Sequence, residues 1–79
     1  MDYDADKVDE MVLALLYLTS SQDAYATRAW KGLDWRALDR LHKKGYIGDP
    51  TGKSATLTLT EEGAELSKTL FLKHFGTKH

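Results

Sequence analysis

The stretch DWRALDRLHKKGYIGDPTGKSATLTLTEEG, Asp34 to Gly63, sets the expected fold. Asp34 can accept hydrogen bonds from the free N–H groups of the following turn, and Gly45 can take the left-handed conformation that closes a helix. The helix between them is expected over Trp35–Lys44. Tyr46 and Ile47 then begin a strand, Asp49-Pro50-Thr51-Gly52 has tight-turn chemistry, and Ala55 to Thr60 alternates threonine with Leu57 and Leu59. The leucines are expected inside and the threonines outside. Thr60 caps a last helix whose first turn carries Glu61 and Glu62, where acids suit the positive helix end. Gly63, costly inside a helix, indicates close approach of another backbone.

Outward from this stretch, Val8, Met11, Val12, Leu15 and Leu16 fall at i, i+3, i+4, i+7 and i+8 and predict a core-facing helix between Asp4 and Thr19. Leu13, Ala14, Tyr17 and Leu18 fill its other sides, so its second half must be covered from more than one direction. Leu66, Leu70, Phe71, His74 and Phe75 leave the last helix equally broad in its apolar surface. Those two surfaces are expected to meet, within one chain or across a two-fold homodimer. Between the helices, Ser20 to Asp23 is a polar break. Asp23 can cap a short helix from Ala24 to Trp30, while Tyr25, Thr27 and Trp30 equally suit a strand. The whole chain, 1–79, is expected to form one α+β domain: N-terminal helix, short second element, capped central helix, β-hairpin and C-terminal helix.

Seventy-nine residues with 42% hydrophobic and 29% charged content are globular in character, but a chain this short buries only about 60% of its unfolded surface. No cysteine is present for a disulfide, thiolate ligand or nucleophile. The apolar run Met11 to Leu18 is too short to span a bilayer, and the first ten residues are acidic where a secretory leader would be basic. A cytoplasmic protein without membrane contact is expected. The net charge of −1 is unevenly spread: residues 1–23 carry −5, residues 28–53 carry +4, and residues 54–79 balance.

The basic segment holds the residues expected to bind nucleic acid. Arg36, Arg40, Lys43 and Lys44 recur along the central helix at i, i+4, i+7 and i+8, with Trp35, Leu38, Leu41 and His42 assigned to its inward side. Arginine forks at that spacing can grip phosphates or the O6/N7 edge of guanine. A helix of about 15 Å is long enough to cross a major groove about 12 Å wide. Arg28, Lys31 and Lys53 would add phosphate contacts. The same stripe also reads as a solvated face, with Asp39 pairing Arg36 or Lys43 and the lysines placed at the negative helix end.

The order of elements and the residues Leu38, Leu41, Gly45, Tyr46, Ile47, Leu59, Thr60 and Gly63 resemble the winged helix-turn-helix domains of bacterial transcription regulators. That resemblance implies a hairpin wing and binding of duplex DNA. Over nearly its full length the chain is also similar to a family of small bacterial proteins known only as a domain of unknown function. The shared motifs are RAWKG (Arg28 to Gly32), DW (Asp34, Trp35), AL-RLH-KGYI (Ala37 to Ile47), DP-GK (Asp49 to Lys53) and LTEEG (Leu59 to Gly63). It implies a stand-alone bacterial protein and carries no activity.

Set against DNA binding is a protein-interaction module of the same fold, suggested by the near-neutral charge and the apolar excess on the terminal helices. Trp30, Lys31 and Trp35 would then supply an aromatic anchor, although core positions are expected for both indoles. Catalysis is not expected. His42, His74 and His79 are dispersed, Ser20, Ser21 and Ser54 lack a nucleophile-elbow setting, and the acidic N-terminus reads as helix capping rather than a metal site. Neither cofactor nor metal is implied.

Overall fold

A computed structural model describes residues 2–23 and 26–77, and has the order α1 (Ala5–Leu18), β1 (Ser21–Gln22), β2 (Thr27–Trp30), α2 (Trp35–Lys43), β3 (Thr56–Leu59) and α3 (Glu61–Phe75). The architecture is α+β, three helices on a three-stranded antiparallel sheet of order β1-β2-β3, consistent with a helix-turn-helix plus hairpin wing arrangement. Strand β2 lies in the centre, with Arg28 opposite Ser21 on one side and Thr58 on the other. Beyond β3, Ile47 bridges Leu59 and Gly48 N–H donates to the Thr58 carbonyl, so the first arm of the wing is a short bridge and not a full strand.

The open choice for the second element resolves as strand over Thr27–Trp30, while Ala24 and Tyr25 lie outside the described residues. The Asp23 carboxylate accepts the Ala26 N–H, just ahead of β2, and caps no helix among the described residues. Asp4, Asp34 and Thr60 cap the three helices, accepting from Lys7, Ala37 and Gly63 respectively. Gly45 closes α2 at φ +84°, a conformation that costs a glycine nothing.

One residue fastens the end of α2 to the start of α3. The Thr60 hydroxyl donates to the Gly45 carbonyl at 2.8 Å while accepting from Gly63 N–H at 3.0 Å, and Thr60 N–H donates to the Tyr46 carbonyl. That same Tyr46 carbonyl lies against Gly63, where any Cβ would overlap it. The close approach expected at Gly63 is therefore to the backbone that leaves α2.

The core joins Val12, Leu13, Ala14 and Leu16 of α1 to Ala29, Ala37, Leu38, Leu41, Ile47, Leu57, Leu59 and Leu70. The broad surfaces of α1 and α3 meet within the chain, running antiparallel. Tyr17 and Phe71 have ring centroids 5.3 Å apart, and Glu10 meets His74 at 3.0 Å.

Candidate interaction surface

Helix α2 turns a different side to the core from the one its leucines alone suggest. Ala37 is fully buried beside Leu38 and Leu41. Including it rotates the inward side away from Trp35 and His42 and toward Arg40 and Lys44. The assignment of Trp35 and His42 to the inside is corrected accordingly: Trp35 is 72% exposed and His42 lies in solvent. Trp30, at the end of β2, is 53% exposed, so neither indole belongs to the core.

Arg40 and Lys44, expected on the outward stripe, converge instead on Asp9 of α1, which is only 1% exposed. Arg40 Nε donates to both Asp9 carboxylate oxygens at 2.9 Å, and Lys44 Nζ donates to Oδ2 at 3.0 Å and to Asp6 at 3.3 Å. Arg40 Nη2 also stands 2.9 Å from Oδ1 but forms no hydrogen bond of acceptable geometry, so Nε carries the directional contact and Nη2 adds charge. Hydrogen bonding to Asp9 raises the pKa of both cations above their ordinary values. A buried carboxylate is tolerated only when paired and hydrogen-bonded, and these two cations are its partners. The acidic N-terminus of the chain thus does more than cap a helix.

The other five candidates are scattered. Arg36 lies 3.9 Å from Asp34, Lys43 3.2 Å from Asp39 and Arg28 3.7 Å from Asp23, all at exposed sites where such pairs are weak. Lys31 points its ammonium into the loop after Ile47, donating to the carbonyls of Pro50 and Gly52 at 3.0 Å each. Within that loop Asp49 accepts from Thr51 N–H and hydroxyl, and these bonds hold its carboxyl below the usual range. Lys53, at the loop tip, is exposed and has no ionic partner among the described residues.

Exposed apolar side chains gather on the two terminal helices. Leu15 and Leu18 of α1 and Leu72 and Phe75 of α3 stand in solvent, and Phe75 ends the ring series Tyr17, Phe71 and Phe75. No group of three or more metal-ligating side chains occurs among the described residues, where no helix is long and apolar enough to cross a membrane. His79 lies outside the described residues.

The model of a family described as "Domain of unknown function (DUF6429)" matches residues 4–77. The chain belongs to the DUF6429 family. It is 49% identical over 75 residues to "Uncharacterized protein y4hR" of Sinorhizobium fredii (strain NBRC 101917 / NGR234), an alignment covering 95% of this chain and 97% of that one. No solved structure matches. In this DUF6429 chain the motif residues have visible physical tasks. RAWKG supplies an exposed indole, its glycine seat and the loop-binding Lys31; AL-RLH-KGYI supplies the buried side of α2 and an Asp9 partner in Arg40; LTEEG supplies the Thr60 fastening.

Proposed function

We propose that this DUF6429 chain is a cytoplasmic, non-enzymatic protein-interaction module of winged-helix-like shape that forms a homodimer through the outer faces of α1 and α3. The observation that supports this reading is an inversion of what a groove-reading helix needs. Of the four cations on α2 and its C-cap, Arg40 and Lys44 are committed to Asp9, while Trp30, Trp35, Leu18, Leu72 and Phe75 face solvent. Large apolar side chains left in solvent on a small domain favour association, and tryptophan is prominent among interface anchors. A two-helix face suits an isologous two-fold contact, in which each copy offers the same leucines and phenylalanine to the other.

Light scattering on a concentration series tests the dimer. The expected mass is twice the 8.9 kDa of one chain, and Leu72→Glu with Phe75→Glu should give a monomer whose circular dichroism is unchanged. A wild type that stays monomeric at high micromolar concentration overturns it. Saturable, salt-dependent binding of a mixed-sequence duplex by anisotropy would return the assignment to duplex DNA, with Arg28, Arg36, Lys43 and Lys53 as the contacts.

A further inference from the structure

Trp30 stands on the outer side of the sheet, away from α1 and α3. Arg28 precedes it by two positions on the same strand face, and Thr56 and Thr58 stand opposite the two. The indole is seated on one side and open to solvent on the other. Its benzene edge lies on Gly32, where any Cβ would overlap Cζ2 and Cη2. A half-exposed indole already resting on backbone has less freedom to lose when something stacks on its open face.

Two lysines near this end of the sheet stand outside the ion pairs that hold most of the other basic side chains. Lys31 donates only to the neutral carbonyls of Pro50 and Gly52, which satisfy two of its three hydrogens without cancelling its charge. Its N–H also ties this point to the Ala55 carbonyl, which places the wing loop alongside the end of β2. Lys53 adds a second cation with no ionic partner among the described residues, and Asp49 in the same loop offsets only one of the two. By contrast, Arg28, Arg36 and Lys43 each have an aspartate at hand, and Arg40 and Lys44 have Asp9.

We infer that the Trp30 side of the sheet takes a short acidic segment of another protein, with an apolar or aromatic side chain stacked on the indole and flanking carboxylates on Lys53 and Lys31. The inference rests on the interaction-module reading but concerns a surface separate from the dimer face. Two cations, one following Trp30 in the chain and one in the loop that Lys31 binds, suffice for a few carboxylates. A polynucleotide needs a continuous cationic track, and the aspartates beside Arg28, Arg36 and Lys43 interrupt one here.

A displayed library of short peptides rich in Asp and Glu, each with one aromatic residue, is selected on the full chain against a neutral library of equal length. Selected peptides are then labelled and titrated by anisotropy into the Leu72→Glu/Phe75→Glu background, so that the result does not depend on self-association. Expected are binding that weakens with salt, a loss of about tenfold or more for Trp30→Ala, a smaller loss for Lys53→Glu, and recovery with Trp30→Phe. Failure of acidic peptides to enrich, or equal binding to Trp30→Ala, overturns the inference. Trp30-dependent binding of labelled oligothymidylate without peptide binding also overturns it and reassigns the surface to single-stranded nucleic acid.

Discussion

Asp9 and Arg40 lie thirty-one residues apart and are joined by an Nε donor that reaches both carboxylate oxygens at 2.9 Å. The contact pins α2 to α1. Breaking a buried ion pair by removing one partner costs more than the pair contributes over an apolar replacement, because the remaining charge is left stranded. Here the stranded groups are Arg40 and Lys44, whose side chains are 29% and 38% exposed, so water relieves part of the penalty. Asp9→Asn should lower stability by about 2–4 kcal/mol in urea denaturation. The triple change Asp9→Leu, Arg40→Met, Lys44→Met should recover most of that loss. If Asp9→Asn unfolds at the wild-type midpoint, the network is ornamental and both cations are available to a ligand.

Why the fold was legible in the sequence and the surface was not follows from these same residues. Caps, turn glycines and the alternation of Leu57 and Leu59 act locally, so Asp34, Gly45, Thr60 and the wing could be placed from neighbours alone. The side of α2 that faces inward is decided by a long-range partner. Two leucines leave a wide range of rotations open, and Ala37 is too small to announce itself as core. What settles the rotation is Asp9, a lone acid among several at the N-terminus. Its one signal was position: in α1 it falls between Val8 and Val12 on the apolar side, where an aspartate requires a cationic partner. Trp30 was hidden for a related reason, since an indole on an exposed strand face looks in sequence like a core residue.

Gly63 separates backbone crowding from propensity. Alanine normally stabilises a helix relative to glycine by about 1 kcal/mol. At Gly63 the added methyl would meet the Tyr46 carbonyl, backbone that is itself held by Thr60 N–H. Gly63→Ala is therefore expected to destabilise by about 2–3 kcal/mol despite its better propensity. Thr60→Val, which removes the hydroxyl that joins Gly45 to Gly63, should cost about 1 kcal/mol as a lost cap. Chemical denaturation of both variants decides whether this junction is as tight as described.

Glu10 and Lys44 set opposite ends of the stability profile. The His74 hydrogen bond lowers the Glu10 pKa, with Lys7 and Lys73 adding to it. The folded state thus favours the ionised acid, and that stability is present above the ordinary glutamate range and lost as pH falls through the lowered value. For Lys44 the Asp9 hydrogen bond raises the pKa, so its contribution is complete below the ordinary lysine range and lost as pH rises through the raised value. Thermal midpoints should hold between these limits and fall outside them. Glu10→Gln should make the acid limb shallower while leaving the part that the lowered Asp49 contributes, and an acid limb unchanged in that variant would remove Glu10 as one of its sources.

Gly32 offers the contrast to Gly63, since a methyl there would meet not backbone but the far end of a half-exposed side chain. The indole of Trp30 can rotate into water, so Gly32→Ala should change stability by only about 1 kcal/mol or less. Its effect should be on the indole itself. With Trp35→Phe as the background, leaving Trp30 as the single emitter, Gly32→Ala is expected to shift emission to the red and increase quenching by acrylamide, because the ring loses its seat. Trp35→Phe alone should leave the denaturation midpoint almost unchanged, as a side chain 72% exposed contributes little packing. A large stability loss in Gly32→Ala, with Trp30 emission unmoved, would mean that the backbone and not the indole yields, and that the ring is held more firmly than its exposure implies.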